Sequence, residues 1–205
     1  AIGPLLAVAD GLGGQYRGDI ASRVVLDCLA LYGQRNSPFF PDNTRKTALI
    51  EYLLAQNIPA PQVFGIQEDV DNIIKGIRSG WNIDAVCTGK FASARTILEK
   101  LSSQEGKEMD TTIVAIELRD GHIHWYHQGD SSLYYWKDRG ESGALASPDH
   151  EKGEKQRNLT ATVTIPVVKR KVESTPFEEG NNYLLFSDAL LLEGRARTIL
   201  PRLPY

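Results

Sequence analysis

The chain has 205 residues, 41% hydrophobic and 24% charged, enough apolar content for one sizeable domain with its own core. Its net charge of −3, without a long basic or acidic block, gives no electrostatic basis for binding nucleic acid or an anionic membrane surface. No apolar run approaches the roughly 20 residues that span a bilayer, and no charged-then-apolar leader is present, so a soluble, cytoplasmic protein is expected. Cys28 and Cys87 form no CxxC pattern and are expected as buried thiols rather than a disulfide.

In chain order, Leu5 to Ala9 is a short continuous apolar run that reads as a buried strand. Beyond it, Ala21, Val24, Val25, Cys28 and Leu29 fall on one helical face. Asp19 is expected to cap that helix through its side chain, and Gly33 supplies a stop. The loop NSPFFPDN leads to a second helix expected over 44–56, and the proline-rich IPAPQVFG reads as a connector. The next helix is the clearest. Val70, Ile73, Ile74, Ile77 and Trp81 recur at i, i+3, i+4, i+7 and i+11, the period of a core-facing stripe. A shorter helix around Ala94, Ile97, Leu98 and Leu101 precedes the charged stretch SSQEGKEMD.

The period then changes. TTIVAIEL, HIHWYHQ and SLYYW read as three strands joined by the tight turns RDG and GDS. TATVTIPVVKRKVES and NNYLLFS are further β-like runs, and no repeat or low-complexity tract interrupts the chain. Helices gathered early and antiparallel strands gathered later predict an α+β fold with helices packed on sheet faces.

The first strand ends on Asp10 and runs straight into a loop with glycines at 11, 13, 14 and 18. Such loops usually receive phosphate, yet a carboxylate at the mouth would repel it. A dinucleotide loop would need glycine at 16, where Tyr16 stands, and no GK[ST] follows for a Walker loop. A divalent cation between carboxylate and phosphate reconciles the two, with the glycines letting a main-chain carbonyl approach the same ion. The alternative is an ordinary strand-to-helix turn with a surface aspartate. Two further acidic turns favour the metal: Asp130 in HQGDSSL, and Asp188 closing the apolar run YLLFSD. Apolar strands that end on aspartate are costly to bury unless the carboxylates are paired or share cations.

Five segments, AVADGLGGQYRGDIAS (7–22), DTTIVAIEL (110–118), HQGDSSLYYW (127–136), SPDH (147–150) and YLLFSDALL (183–191), resemble in order and spacing the metal-dependent serine/threonine protein phosphatases of type 2C, the PPM family. The DGxGG loop followed by G, an acid and AS is similar to bacterial-type members. Ser132 stands where the family's GDSRxY hairpin has arginine, and Ala189 where its LxSDG strand has glycine.

The resemblance implies a four-layer α-β-β-α sandwich, two antiparallel sheets packed face to face with helices outside, over residues 1–205 as a single phosphatase-like domain. It implies two Mn2+ or Mg2+ ions at one end of the sheets. Asp10 would bridge both, the Gly11 carbonyl would bind one and Asp188 the other, with Asp130 and Asp188 holding a third, weaker ion. Asp10 and Asp188 are then the catalytic carboxylates, and the three carboxylates should lie within about 8 Å of one another. The implied reaction is in-line attack by a metal-activated water on phosphoserine or phosphothreonine of a protein substrate, without a phosphoenzyme, opposing a serine/threonine kinase. Leu12 occupies the place of a histidine general acid found in several members outside bacteria, so water or another group would protonate the leaving oxygen.

The family's RxxNxD segment before the first strand and its Asp-Asn pair in a closing strand have no counterpart between Ala1 and Tyr205. These residues alone are therefore expected to bind metal poorly unless Asp84, Asp110 or Asp149 completes the site. The alternative reading is a pseudophosphatase, a binding or regulatory module with the same fold and an incomplete metal site. The other candidates carry less. His122, His124 and His127 lack a carboxylate or cysteine partner at metal-ligand spacing and read as solvent-facing strand residues. His150 reads as turn chemistry, Trp81, Trp125 and Trp136 as packing, and the KRK run at 169–171 as a solvated strand face.

Overall fold

The structure, a computed structural model, describes residues 2–11, 16–38, 40, 43–129, 131–137, 142–146, 173–178 and 180–187. Strand β1 (Ile2–Val8) is followed by helices α1 (Gly18–Gly33), α2 (Asn43–Ala55), α3 (Ala60–Arg78), α4 (Ile83–Thr88) and α5 (Ala94–Glu105). Strands β2 (Ile113–Arg119), β3 (His122–Gln128), β4 (Ser132–Lys137), β5 (Ser142–Ala146), β6 (Glu173–Pro176) and β7 (Asn181–Phe186) complete it. Two antiparallel sheets result, one ordered β1-β2-β3-β6 and the other β5-β4-β7.

The two-residue period of β2 and β3 builds both sides of the larger sheet. Ile113, Ala115 and Tyr126 face the helices, while Val114, Ile116, Ile123 and Trp125 face Leu133, Leu145, Tyr183 and Leu185 of the smaller sheet. The expected face-to-face pair of sheets is thus present, with the helices on the free face of the larger one. All five described helices belong to that one layer. Helix α1 is the hub of the helical layer, touching α2, α3, α4, α5 and β1 through a buried face that includes Ile20, Val24, Cys28 and Leu31.

Several elements depart from the sequence expectation for identifiable reasons. Asp19 does not cap α1. The chain enters the helix through Arg17, in the left-handed region at φ 54°, which leaves Asp19 exposed inside the first turn without a capping bond. Its charge still suits the positive end of the helix. Helix α3 begins at Ala60, inside the supposed connector, because Pro61 falls in the first turn, where no N–H is needed. Trp81 lies past the end of α3 and folds back over Gly76, its N–H donating to the Gly76 carbonyl at 3.0 Å. Helix α5 runs on to Glu105, started by a reciprocal Ser93–Thr96 capping box. The RDG turn is a two-residue hairpin turn with Asp120 and Gly121 at φ 52° and 72°. The GDS turn, by contrast, carries the chain from one sheet to the other.

Both cysteines are free and buried. Burial, reinforced by Asp27 and Asp69, pushes the Cys28 thiol up from 9.0 to about 12. The folded pKa exceeds the unfolded one, so this contribution to stability is complete below about pH 9 and is lost as pH rises toward 12. A thiol titration at pH 8 should find neither cysteine reactive in the native protein and both reactive in denaturant. Equal reaction rates in the two states would contradict the burial.

Candidate metal centre

Four chain segments arrive at one end of the sheets, where β1 stops and β2 starts. The Asp10 carbonyl accepts from the Thr112 N–H at 2.9 Å and from the Thr111 hydroxyl at 2.8 Å, and Gly11 bridges to Thr111. Thr112 then reaches the turn between β3 and β4, its Oγ1 lying 2.6 Å from Ser131 Oγ. Gly129 opens that turn at φ 98°, and a Cβ there would fall 2.7 Å from the Thr112 methyl. His127 Nε2 donates to the Ser131 carbonyl at 2.7 Å, closing the turn from the other side. Ser132, next along, pairs with Phe186, which brings the end of β7 to the same place.

The glycine loop has its own reason for glycine. A Cβ on Gly11 would lie 2.1 Å from the Gly18 carbonyl oxygen, so the two ends of the loop touch main chain to main chain. Arg17 fixes the far end, its guanidinium hydrogen-bonding to the Gln56 side chain. Lys107 sits 4.6 Å above the Tyr16 ring on the flank. The Asp10 carboxylate itself is half-buried and has no hydrogen bond or ion pair among the described residues.

Of the expected ligands, Asp10 and Gly11 stand at this end, while Asp130 and Asp188 lie outside the described residues, as do Leu12, Asp149, His150, Ala189 and the KRK run. Among the described residues no three His, Cys, Asp or Glu side chains gather as a metal cluster. Asp110 is buried beside Thr111, whose N–H donates to its Oδ1 at 2.8 Å. Asp84 is spent within α4, accepting from the Thr88 hydroxyl at 3.0 Å. The supporting residues Thr111, Thr112 and Ser131 were not legible as such: two hydroxyls ahead of an apolar strand are a weak signal, and their partners are distant in sequence.

The histidines do not converge. His122 and His124 neighbour each other on the helix-facing side of β3, ring centroids 6.2 Å apart, whereas His127 is one step out of phase and faces the other way. Burial, then the Arg119 charge, pushes the His124 imidazole down. Beside it in register is Glu117, 1% exposed, which accepts from the Tyr32 hydroxyl at 3.1 Å and pairs with the Arg35 guanidinium. Arg35 stacks on Tyr32 with its guanidinium carbon 3.9 Å from the ring centroid, and burial pushes the Tyr32 phenol up. This ionic knot ties the end of α1 to the opposite end of β2 from Asp10.

Residues 2–193 match the family model described as protein phosphatase 2C. No similar sequence is found among curated proteins. Among solved structures the chain is similar to the catalytic domain of the serine/threonine protein phosphatase PstP in complex with two manganese ions, at 21% identity and a TM-score of 0.58, covering 98% of this chain and 75% of that one. It is also similar to the Mycobacterium tuberculosis serine/threonine phosphatase PstP/Ppp, at 21% identity and a TM-score of 0.54 over 93% of this chain and 72% of the other. A third likeness is to PppA, a key regulatory component of T6SS in Pseudomonas aeruginosa, at 19% identity and a TM-score of 0.52 over 98% and 74%. At these identities the likeness is one of fold.

Proposed function

The chain belongs to the protein phosphatase 2C family, and from that premise we propose that it hydrolyses phosphoserine and phosphothreonine in proteins with Mn2+ or Mg2+ bound at the Asp10 end of the sheets. The observation that carries the reading is the Asp10 carboxylate, half-buried and without a partner among the described residues, at the mouth of a loop whose two ends are held together. A partly buried charge is costly unless an opposite charge takes it. Carboxylate and main-chain carbonyl oxygens are the donors that hard cations prefer, so the residues present suit such ions. Asp10 would hold two of them, with Gly11 lending its carbonyl to one and Asp188 its carboxylate to the other. Asp130 and Asp188, each two positions outside the Ser132–Phe186 pair in sequence, would share a third, weaker ion. The two manganese ions of the PstP structure support the choice of metal.

What such ions supply when bound is a lowered pKa for water and neutralisation of phosphoryl oxygens. The chain's own part is placement. Thr111 and Thr112 hold the Asp10 carbonyl, which fixes the main chain that carries the carboxylate. Leu12 brings no ionisable group to the loop, so water or another group would protonate the leaving oxygen. The substrates on this reading are phosphorylated proteins modified by a serine/threonine kinase, and two buried free thiols suit the reducing cytoplasm.

Hydrolysis of a phosphothreonine peptide or of p-nitrophenyl phosphate tests this directly. Turnover should require Mn2+ or Mg2+ and fall to background in EDTA. Full activity in EDTA would overturn the metal dependence, and two tightly bound ions without turnover would overturn the catalysis.

A further inference from the structure

Thr112 makes three contacts on two segments that are far apart in the chain. Its N–H holds the Asp10 carbonyl at 2.9 Å, its hydroxyl meets Ser131 Oγ at 2.6 Å, and its methyl packs on Gly129. Thr112 and Ser131 are both buried, so water does not substitute for either hydroxyl. Thr111 adds a second bond to the Asp10 carbonyl, although its single hydroxyl proton also has the Thr112 carbonyl within 3.1 Å. The main-chain bond survives any substitution at 112 other than proline. The hydroxyl bond does not, and it ties the β3–β4 turn to the start of β2 through two side chains.

We propose that Thr112 is a positioning residue that clasps the turn flanking Asp130 to the loop that follows Asp10, and so sets the separation between the two segments that would carry metal ligands. The proposal rests on the metal-centre reading above. Groups that orient ligands without touching the metal typically change affinity by about 10–100-fold when removed. Thr112→Val keeps the shape and the methyl contact but strips Ser131 Oγ of the Thr112 hydroxyl, and leaving a buried hydroxyl unpaired is costly. Thr112→Ser does the reverse, keeping the hydroxyl and losing the methyl.

Isothermal titration with Mn2+ and amide hydrogen exchange on the metal-free protein separate the possibilities. Thr112→Val should weaken Mn2+ binding about tenfold and speed exchange at Gly129 and Ser131, while the metal-free melting temperature falls only by the few degrees that one hydrogen bond costs. Thr112→Ser should restore both affinity and protection. Wild-type Mn2+ affinity in Thr112→Val, or a Thr112→Ser protein as impaired as the valine variant, would overturn the clasp. If these residues alone bind Mn2+ too weakly to titrate, exchange on the metal-free protein decides the clasp: faster and serine-rescued in its favour, unchanged against it.

Discussion

Replacing Asp10 by alanine should cut metal-dependent phosphatase turnover by at least about a hundredfold, since a ligand in direct contact with an ion matters no less than groups one shell further out. The fold should survive. The loop is held by the Asp10 carbonyl, through Thr111 and Thr112, and alanine keeps that carbonyl in place. The lost carboxylate has no partner among the described residues, so no hydrogen bond or ion pair there is broken. With Asp130 and Asp188 as the proposed fellow ligands, removing Asp10 from the metal-free site would also relieve like-charge repulsion, so the metal-free melting temperature should stay level or rise. Asp10→Asn separates charge from size: it should lose activity as alanine does. Undiminished turnover in either variant would remove Asp10 from the mechanism.

The largest stability effect is expected at the other end of β2. Arg35→Met leaves Glu117, whose side chain is 2% exposed, with the Tyr32 hydroxyl as its remaining hydrogen-bond donor. Stripping one partner from a buried ion pair costs about 3–5 kcal/mol. For a chain of this length that is a fall in melting temperature of roughly 10 °C. Adding Glu117→Gln removes the stranded charge and keeps an acceptor for Tyr32, so the double variant should regain most of the loss. A double variant no more stable than Arg35→Met would show that packing, not the stranded charge, sets the cost.

These two regions were not equally legible in the sequence. Local patterns were reliable where the information is local. The period of β2 and β3 placed their faces, and Asp120-Gly121 announced the hairpin. Patterning failed where a neighbour in space decides. Helix α4 has six residues, too few to display a period. Trp81 extended an arithmetic series that the helix itself does not, because the chain reverses at Gly80 and returns the ring to Gly76. Alternation assigns each side chain a face but never says which sheet a strand joins, so the crossing after Gln128 was invisible. At the candidate site the aspartates stood out because acidic residues end apolar strands. Thr111, Thr112 and Ser131 did not, since hydroxyls at strand starts are common and only pairing gives them a task.

Asp10 and the Thr111 hydroxyl that holds it are 101 residues apart, and all five described helices lie between them. Each of those helices closes its own backbone hydrogen bonds over short stretches of chain, whereas β1 must wait for β2 to be made and placed. Long-separation pairings carry the greatest closure cost and tend to form late. During synthesis from the N-terminus, β1 and its aspartate emerge before the helices yet stay unpaired until β2 has left the ribosome. A ribosome-bound chain can therefore acquire much of its helical layer while the end that would meet phosphate does not yet exist, which delays the chemistry until the scaffold is in place.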